Sequence, residues 1–208
     1  LLQIVVFKNK IYYDLETIMN NDKENIFIRN KMNDYIPTKL VFLENLLKEH
    51  PTYYSENNNS FIEDKLDVDE QSFLKPVLSI YKRNDLIIGN KGLDYPIKKM
   101  YHYRNIFYIL EGNCKFTLYS PNNNFSESET IFDKKIFEES LILDSNKGYK
   151  HVNVEVSKGD YILIPPHWFL DITFLEKSYI ISSYFHTPFS FMSNLSHYYS
   201  HFMDLYRS

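Results

Sequence analysis

From Asp85 onward the apolar residues fall into short runs separated by turn residues. The runs are Leu86-Ile87-Ile88, Ile106 to Leu110, Phe116 to Tyr119, Leu141-Ile142-Leu143, Val152 to Val156, Tyr161 to Ile164 and Tyr179 to Phe185. Between them stand Gly89-Asn90-Lys91-Gly92, Glu111-Gly112-Asn113, Ser120-Pro121, Lys158-Gly159-Asp160 and Pro165-Pro166. Runs of this length and spacing predict antiparallel strands closed into a barrel or sandwich. The pattern divides the chain into a leader over 1–84, a β unit over 85–186 and a tail over 187–208.

The leader is mixed. Ile4 to Phe7 and Ile26-Phe27-Ile28 read as short strands. Pro37 reads as opening a helix with Leu40, Leu43 and Leu47 on one face, stopped by Pro51. The polar, acidic stretch from Tyr53 to Asp69 reads as a surface loop. In the tail, Thr187 is a predicted N-cap and Pro188 a first helical residue. Phe189, Met192, Leu195, Tyr199, Phe202 and Tyr206 then recur every three or four positions. Such a stripe is expected to pack on the core, with a dimer or partner seam as the other reading.

Composition adds exclusions more than assignments. The 208 residues suit one domain with a sizeable core and a helical extension. Aromatic residues make up 17%, alanine is absent, and Asn, Lys, Ile and Tyr dominate, so Asn57-Asn58-Asn59 and Asn122-Asn123-Asn124 read as drifted loops. A net charge of −4 argues against nucleic acid, and Lys98-Lys99 and Lys134-Lys135 read as isolated solvated pairs. The single Cys114 excludes an internal disulfide framework and fits an intracellular, reducing compartment, with the organelle unknown. The sequons at Asn58, Asn124 and Asn194 are what an Asn- and Ser-rich chain gives by chance. No apolar run reaches membrane-spanning length, and because the numbering starts at Leu1 rather than Met, targeting is not legible.

Two segments resemble the JmjC-like oxygenases, cupins that use Fe(II) and 2-oxoglutarate. The first runs from Leu86-Ile87-Ile88-Gly89-Asn90-Lys91-Gly92 through Asn105-Ile106-Phe107-Tyr108-Ile109-Leu110-Glu111-Gly112 to Phe116-Thr117-Leu118-Tyr119-Ser120-Pro121. The second and more specific is Gly159-Asp160-Tyr161-Ile162-Leu163-Ile164-Pro165-Pro166-His167-Trp168-Phe169. The resemblance covers 85–186. It implies a mainly β double-stranded β-helix, a cupin or jelly-roll barrel, with the α/β leader packed on it and a C-terminal helix.

Fold alone does not confer activity, so the implied chemistry is checked residue by residue. The family's iron sits on a His-x-Asp pair and a distal His. The distal position falls on Leu170, which has no lone pair to donate. The His-x-Asp pair falls on Lys98 and Met100 counting from Gly92, or on Lys99 and Tyr101 counting back from Asn105. A Lys ammonium beside a dication costs roughly 8 kcal/mol at 4 Å and an effective dielectric near 20. His102 could stand in after a local deletion, but Arg104 would then replace the acid. His167 is a non-ligand position in the family, and Asp171 is one residue out of phase on a strand. Asn105 matches a position lining the co-substrate pocket. The basic residue expected two after Gly112 is Cys114, read as a small buried residue rather than a nucleophile. His50, His151, His186, His197 and His201 lack ligand spacing within the barrel; His197 and His201, four apart on the tail, read as an incidental helical pair without a third ligand.

The expectation is therefore a chain with no catalytic residues, cofactor or metal, serving as a structural or protein-binding subunit of a larger assembly. Two alternatives stay open. One is an active oxygenase with a non-standard triad built on His102. The other is a metal-free cupin that holds a small anion through Lys98 or Lys99.

Overall fold

The computed structural model of the chain describes residues 4–8, 15–19, 25–29, 35–62, 75–93, 95–126, 129–133, 138–144, 147–195 and 199. The leader contains β1 (Val5–Phe7), α1 (Leu15–Met19), β2 (Asn25–Arg29), β3 (Tyr35–Lys39), α2 (Leu40–Glu49), β4 (Tyr54–Ser55) and α3 (Asn59–Ile62). There follow β5 (Tyr81–Gly89), β6 (Ile97–Lys99), β7 (Arg104–Glu111), β8 (Asn113–Tyr119), β9 (Thr130–Asp133) and β10 (Glu138–Leu141). The last strands are β11 (His151–Ser157), β12 (Tyr161–Ile164), β13 (Phe169–Phe174) and β14 (Ser178–His186), and a C-terminal helix is described over 188–195.

The chain is mainly β, in two antiparallel sheets. One has the strand order β1-β12-β7-β14-β5-β4-β2-β3 and the other β11-β8-β13-β6-β10-β9. Between them lies an apolar core that includes Ile87, Phe107 and Ile109 from the first sheet and Phe116, Leu170, Ile172 and Phe174 from the second. The alternation of a strand sends the neighbours of these residues outward. On the outer face of the first sheet, Leu86, Ile88, Tyr108 and Ile181 pack against Leu40, Leu43 and Leu47 of α2 and against Phe61 and Ile62 of α3. Each such fully buried leucine contributes about 1.5–3 kcal/mol. A small third cluster, Tyr119, Leu141 and Phe169, covers the outer face of the second sheet.

The chain crosses between sheets at corners, and these corners explain the turn residues. β7 passes into β8 through Gly112, which has φ +86°. The return corner, 175–177, lies against it, with the Leu175 amide donating to the Asn113 carbonyl at 3.0 Å. A Cβ on Gly112 would collide with the Ser178 hydroxyl and the Lys177 carbonyl, so only glycine fits. Gly159, also at φ +86°, turns β11 into β12. The adjacent Asp160 accepts from the Ser157 amide at 3.0 Å and from Lys8 at 2.5 Å, tying β1 to the turn.

Several expectations need correction. Pro37 lies inside β3 and does not open the helix, which starts at Leu40; β3 is an edge strand, where a missing N–H costs nothing. The stretch from Tyr53 is no surface loop as far as it is described. Tyr54, Ser55, Glu56, Asn58, Phe61 and Ile62 are all buried, because β4 pairs with β2 and β5; residues 63–69 lie outside the described residues. Asn58 is not drift either. Its side chain donates to Ser55 Oγ and the Leu86 carbonyl and accepts from the Phe27 amide, at 2.7–2.9 Å. β5 begins at Tyr81 and so straddles the division at 84/85, and leader strands extend the same sheet. Ile142 is exposed, beyond the end of β10. Strands β6, β9 and β13 had no run of their own in the apolar pattern.

The tail is capped as expected. The Ser190 amide donates to Thr187 Oγ1 at 3.2 Å and the Thr187 amide to Ser190 Oγ at 2.9 Å, a reciprocal cap. Its expected packing is inverted. Thr187, Ser190 and Asn194 are buried, and Asn194 Nδ2 donates to the Tyr101 carbonyl at 2.9 Å. Phe189 (72% exposed), Met192 (68%), Leu195 (50%) and Tyr199 (62%) face solvent, while Phe202 and Tyr206 lie outside the described residues. Among the described residues no helix is long and apolar enough to cross a membrane.

Candidate functional site

The core between the sheets is largely apolar but also holds the buried Lys98. Next to β6 lie two neighbouring corners, 100–103 between β6 and β7 and 165–168 between β12 and β13. They are stitched together by backbone bonds: Met100 donates to the Trp168 carbonyl at 2.8 Å, and His167 donates to the Met100 carbonyl at 2.5 Å. His167 has φ +67°, a conformation that costs a non-glycine residue about 1–3 kcal/mol and is held by the surrounding contacts.

β6 and β13 pair with Lys98 opposite Leu170 and Lys99 opposite Phe169. This register fixes which of the two lysines faces inward. Lys98 is buried, and Met100 and Leu170 belong to the core between the sheets. Lys99 lies with Phe169 on the opposite face. The set Lys99, Tyr101 and Leu170 therefore does not share a face, and the inward set is Lys98, Met100 and Leu170. Lys98 is also not one of a solvated pair, whereas Lys134-Lys135 lie outside the described residues.

A buried ammonium requires a counter-ion. Lys98 finds it in Glu56, with which it forms a close buried ion pair. The Arg29 guanidinium stands 3.6 Å from the other carboxylate oxygen, and the Lys98 Nζ lies 5.2 Å from the centre of the Tyr95 ring. Glu56 arrives from the stretch after β4, whose path is fixed by Asp85 on β5. The Asp85 carboxylate accepts from the backbone amides of Asn57 (3.0 Å) and Asn58 (2.7 Å), and Arg83 donates to Asn57 Oδ1 at 2.5 Å. Asn57 itself sits at φ +63°. Burial, then the nearby Glu56 charge, pushes the Asp85 carboxyl up to about 6.

His102 lies on the corner between β6 and β7, among other rings. Its ring lies 4.3 Å from that of His186 and 4.7 Å from that of Tyr184. Burial first, then His186 and Arg83, pull its pKa down to about 3, so it is neutral at pH 7. No group of three His, Cys, Asp or Glu side chains able to hold a metal occurs among the described residues. The residues around Leu170 do not fit an iron ion: a lysine already neutralised by a glutamate, a methionine and a leucine offer no anionic facial triad.

Of the residues matched to the co-substrate pocket, Asn105 is fully buried on β7. Its Nδ2 donates to the Ile164 and His102 carbonyls at 3.1 Å. Cys114 is fully buried, and burial pushes its thiol up to about 11, so it is no nucleophile. Lys115 is on the other face of β8, half-buried. Asp171 likewise shares the outward face of β13 with Phe169. Lys99 lines an open cavity of about 410 Å³ with His167, Phe125 and Phe169.

Sequence reasoning missed Glu56, Arg29 and Asp85. Only an unexplained need for a partner to Lys98 could have pointed to them. Compared with known proteins, the chain matches no family model and no curated protein.

Proposed function

We propose that this chain is a JmjC-like cupin domain without an iron site, acting as a structural or protein-binding subunit of a larger assembly. The carrying observation is the pairing of Lys98 with Leu170 on adjacent strands, with Glu56 closing on the Lys98 ammonium. In a working oxygenase of this family those inward positions supply a histidine pair. Here a cation bonded to its own carboxylate takes the space and the charge that a dication and 2-oxoglutarate would need. The repeated crossing of the chain between two antiparallel sheets, with Gly112, Gly159 and the 165–168 corner at the crossings, supports the cupin reading.

The binding role rests on the tail helix. It docks by its polar face, so Phe189, Met192 and Leu195 are left outside, and Leu78 and Ile80 nearby in sequence to β5 are exposed as well. An apolar helix stripe in water is the usual mark of a protein partner.

Titration of the purified chain with Fe(II), a 2-oxoglutarate turnover assay and native mass measurement of the chain from its own cells test the reading together. Expected are no stoichiometric iron, no succinate, and a complex that Met192→Lys with Leu195→Lys disperses while the fold survives. Succinate production abolished by His102→Ala, or a strict monomer without partners, would overturn it.

A further inference from the structure

Among the described strands, the edges of the two sheets are β1, β3, β9 and β11. An open edge invites another strand to pair with it, and natural edges are kept short or interrupted for that reason. β1 has 3 residues, β9 has 4, and β3 carries Pro37. β11 has neither protection: it runs for 7 residues, His151–Ser157, and pairs with β8 residue for residue without a bulge. We propose that β11 pairs with the same strand of a second copy of this chain, antiparallel about a twofold axis at Asn153, joining the two six-stranded sheets into one. The contact uses neither the tail helix nor the interior around Lys98, so it stands apart from the role proposed above.

The ladder with β8 fixes which backbone groups face outward. The Ser120 amide donates to the Lys150 carbonyl and the Lys158 amide to the Gly112 carbonyl, both at 3.1 Å, and these bonds bracket the ladder and set its phase. In an antiparallel pair, alternate residues turn both N–H and C=O to the same neighbour. Val152, Val154 and Val156 therefore bond to β8, while His151, Asn153, Glu155 and Ser157 turn theirs outward. At Ser157 the following turn uses both groups: its amide donates to Asp160 Oδ2 at 3.0 Å, and its carbonyl accepts from the Asp160 amide at 2.9 Å. The open edge is thus 151–155. One exposed side chain reaches it, Lys8, whose Nζ lies 3.5 Å from the Glu155 carbonyl and closer to Asp160.

The residues of that edge are complementary to themselves. With the axis at Asn153, His151 stands opposite Glu155 of the second copy, Asn153 opposite Asn153, and Val152 opposite Val154. An imidazole then faces a carboxylate on both sides of the axis, as an isologous contact requires. Moving the axis to Val152 or Val154 would put Glu155 opposite Tyr149 or Asn153 instead. The valines continue the core face of the strand. Val156 belongs to the core between the sheets, Val154 packs against it, and Val152 is left 44% exposed for a second valine to cover.

Sedimentation velocity of the purified full chain tests the contact. Between about 1 and 500 μM the monomer is expected to pass into a dimer, since an edge contact smaller than a standard interface associates weakly. Asn153→Pro removes an outward N–H and leaves the ladder with β8 intact. It should weaken dimerisation at least about tenfold while the melting temperature stays close to that of the parent. His151→Glu sets carboxylate against carboxylate and should do the same, whereas His151→Glu combined with Glu155→Lys should recover the dimer. A monomer throughout the range would leave the edge to a strand of another protein and overturn the proposal. So would a dimer that neither single variant weakens, or one that Met192→Lys with Leu195→Lys disperses. Should Asn153→Pro fail to fold, Asn153→Lys sets like charges across the axis, with the same loss expected and an unchanged dimer refuting the contact.

Discussion

Lys98 and Glu56 are 42 residues apart in sequence and form a buried ion pair. Desolvating two such groups is costly, and their attraction offsets that only while both are present. Removing one partner leaves a buried charge. Lys98→Met and Glu56→Gln are each expected to destabilise the fold by about 3–5 kcal/mol in urea unfolding. The double variant should cost less than the two single losses combined, by at least about 1 kcal/mol. Strict additivity would mean that the pair does not close in solution. His102 gives a second residue-scale expectation. Its folded pKa of about 3 lies below the ordinary 6.5, so the unfolded chain binds the extra proton between those values. Stability from this group is complete above pH 6.5 and falls as pH drops towards 3, with a limiting slope of about 1.4 kcal/mol per pH unit. Asp85 works with the opposite sign: its carboxyl is raised from 3.8 to about 6, so its contribution declines as pH rises across that window. The stability difference between the parent and His102→Phe isolates the histidine. That difference should grow from pH 3 to 6.5, and a flat one would show the ring to be hydrated.

At the scale of elements, local signals were read well where the cause is local. The apolar runs of β5, β7, β8, β12 and β14, the three-and-four spacing of Leu40, Leu43 and Leu47, and the Thr187 cap are consequences of a few consecutive residues. Short strands such as β6 (Ile97–Lys99) carry no such signal, since two of three residues are lysines and the strand exists because β10 and β13 flank it. The corner at Gly112 is legible as a turn, but its intolerance of any side chain is not, because the clash partners come from residues 177 and 178. Gly112→Ala is expected to lower stability by about 2–4 kcal/mol, seen as a drop in Tm, while Gly148→Ala, whose Cβ would meet nothing within 4 Å, should be near neutral. Equal effects at the two positions would remove the two-corner contact from the account.

The whole molecule joins what the apolar pattern divided. The leader reads as a separate segment, yet β1 pairs with β12 and β4 with β5, α2 and α3 cover one face of the larger sheet, and Glu56 supplies the counter-ion for Lys98. A fragment beginning at Tyr81 would lose all of these at once. It is expected to be aggregated or to unfold without a cooperative transition, whereas a sharp melt near that of the full chain would show the leader to be an accessory.

The sequence by itself determined that the chain is mainly β and where most strands and turns fall. These depend on residue type and on neighbours a few positions away. Only the tertiary structure decided that Lys98 rather than Lys99 faces inward, that Glu56 meets it, and that the tail stripe points to solvent. Which side of a strand or helix is buried depends on what arrives from distant parts of the chain, and a one-residue change of register exchanges the two faces.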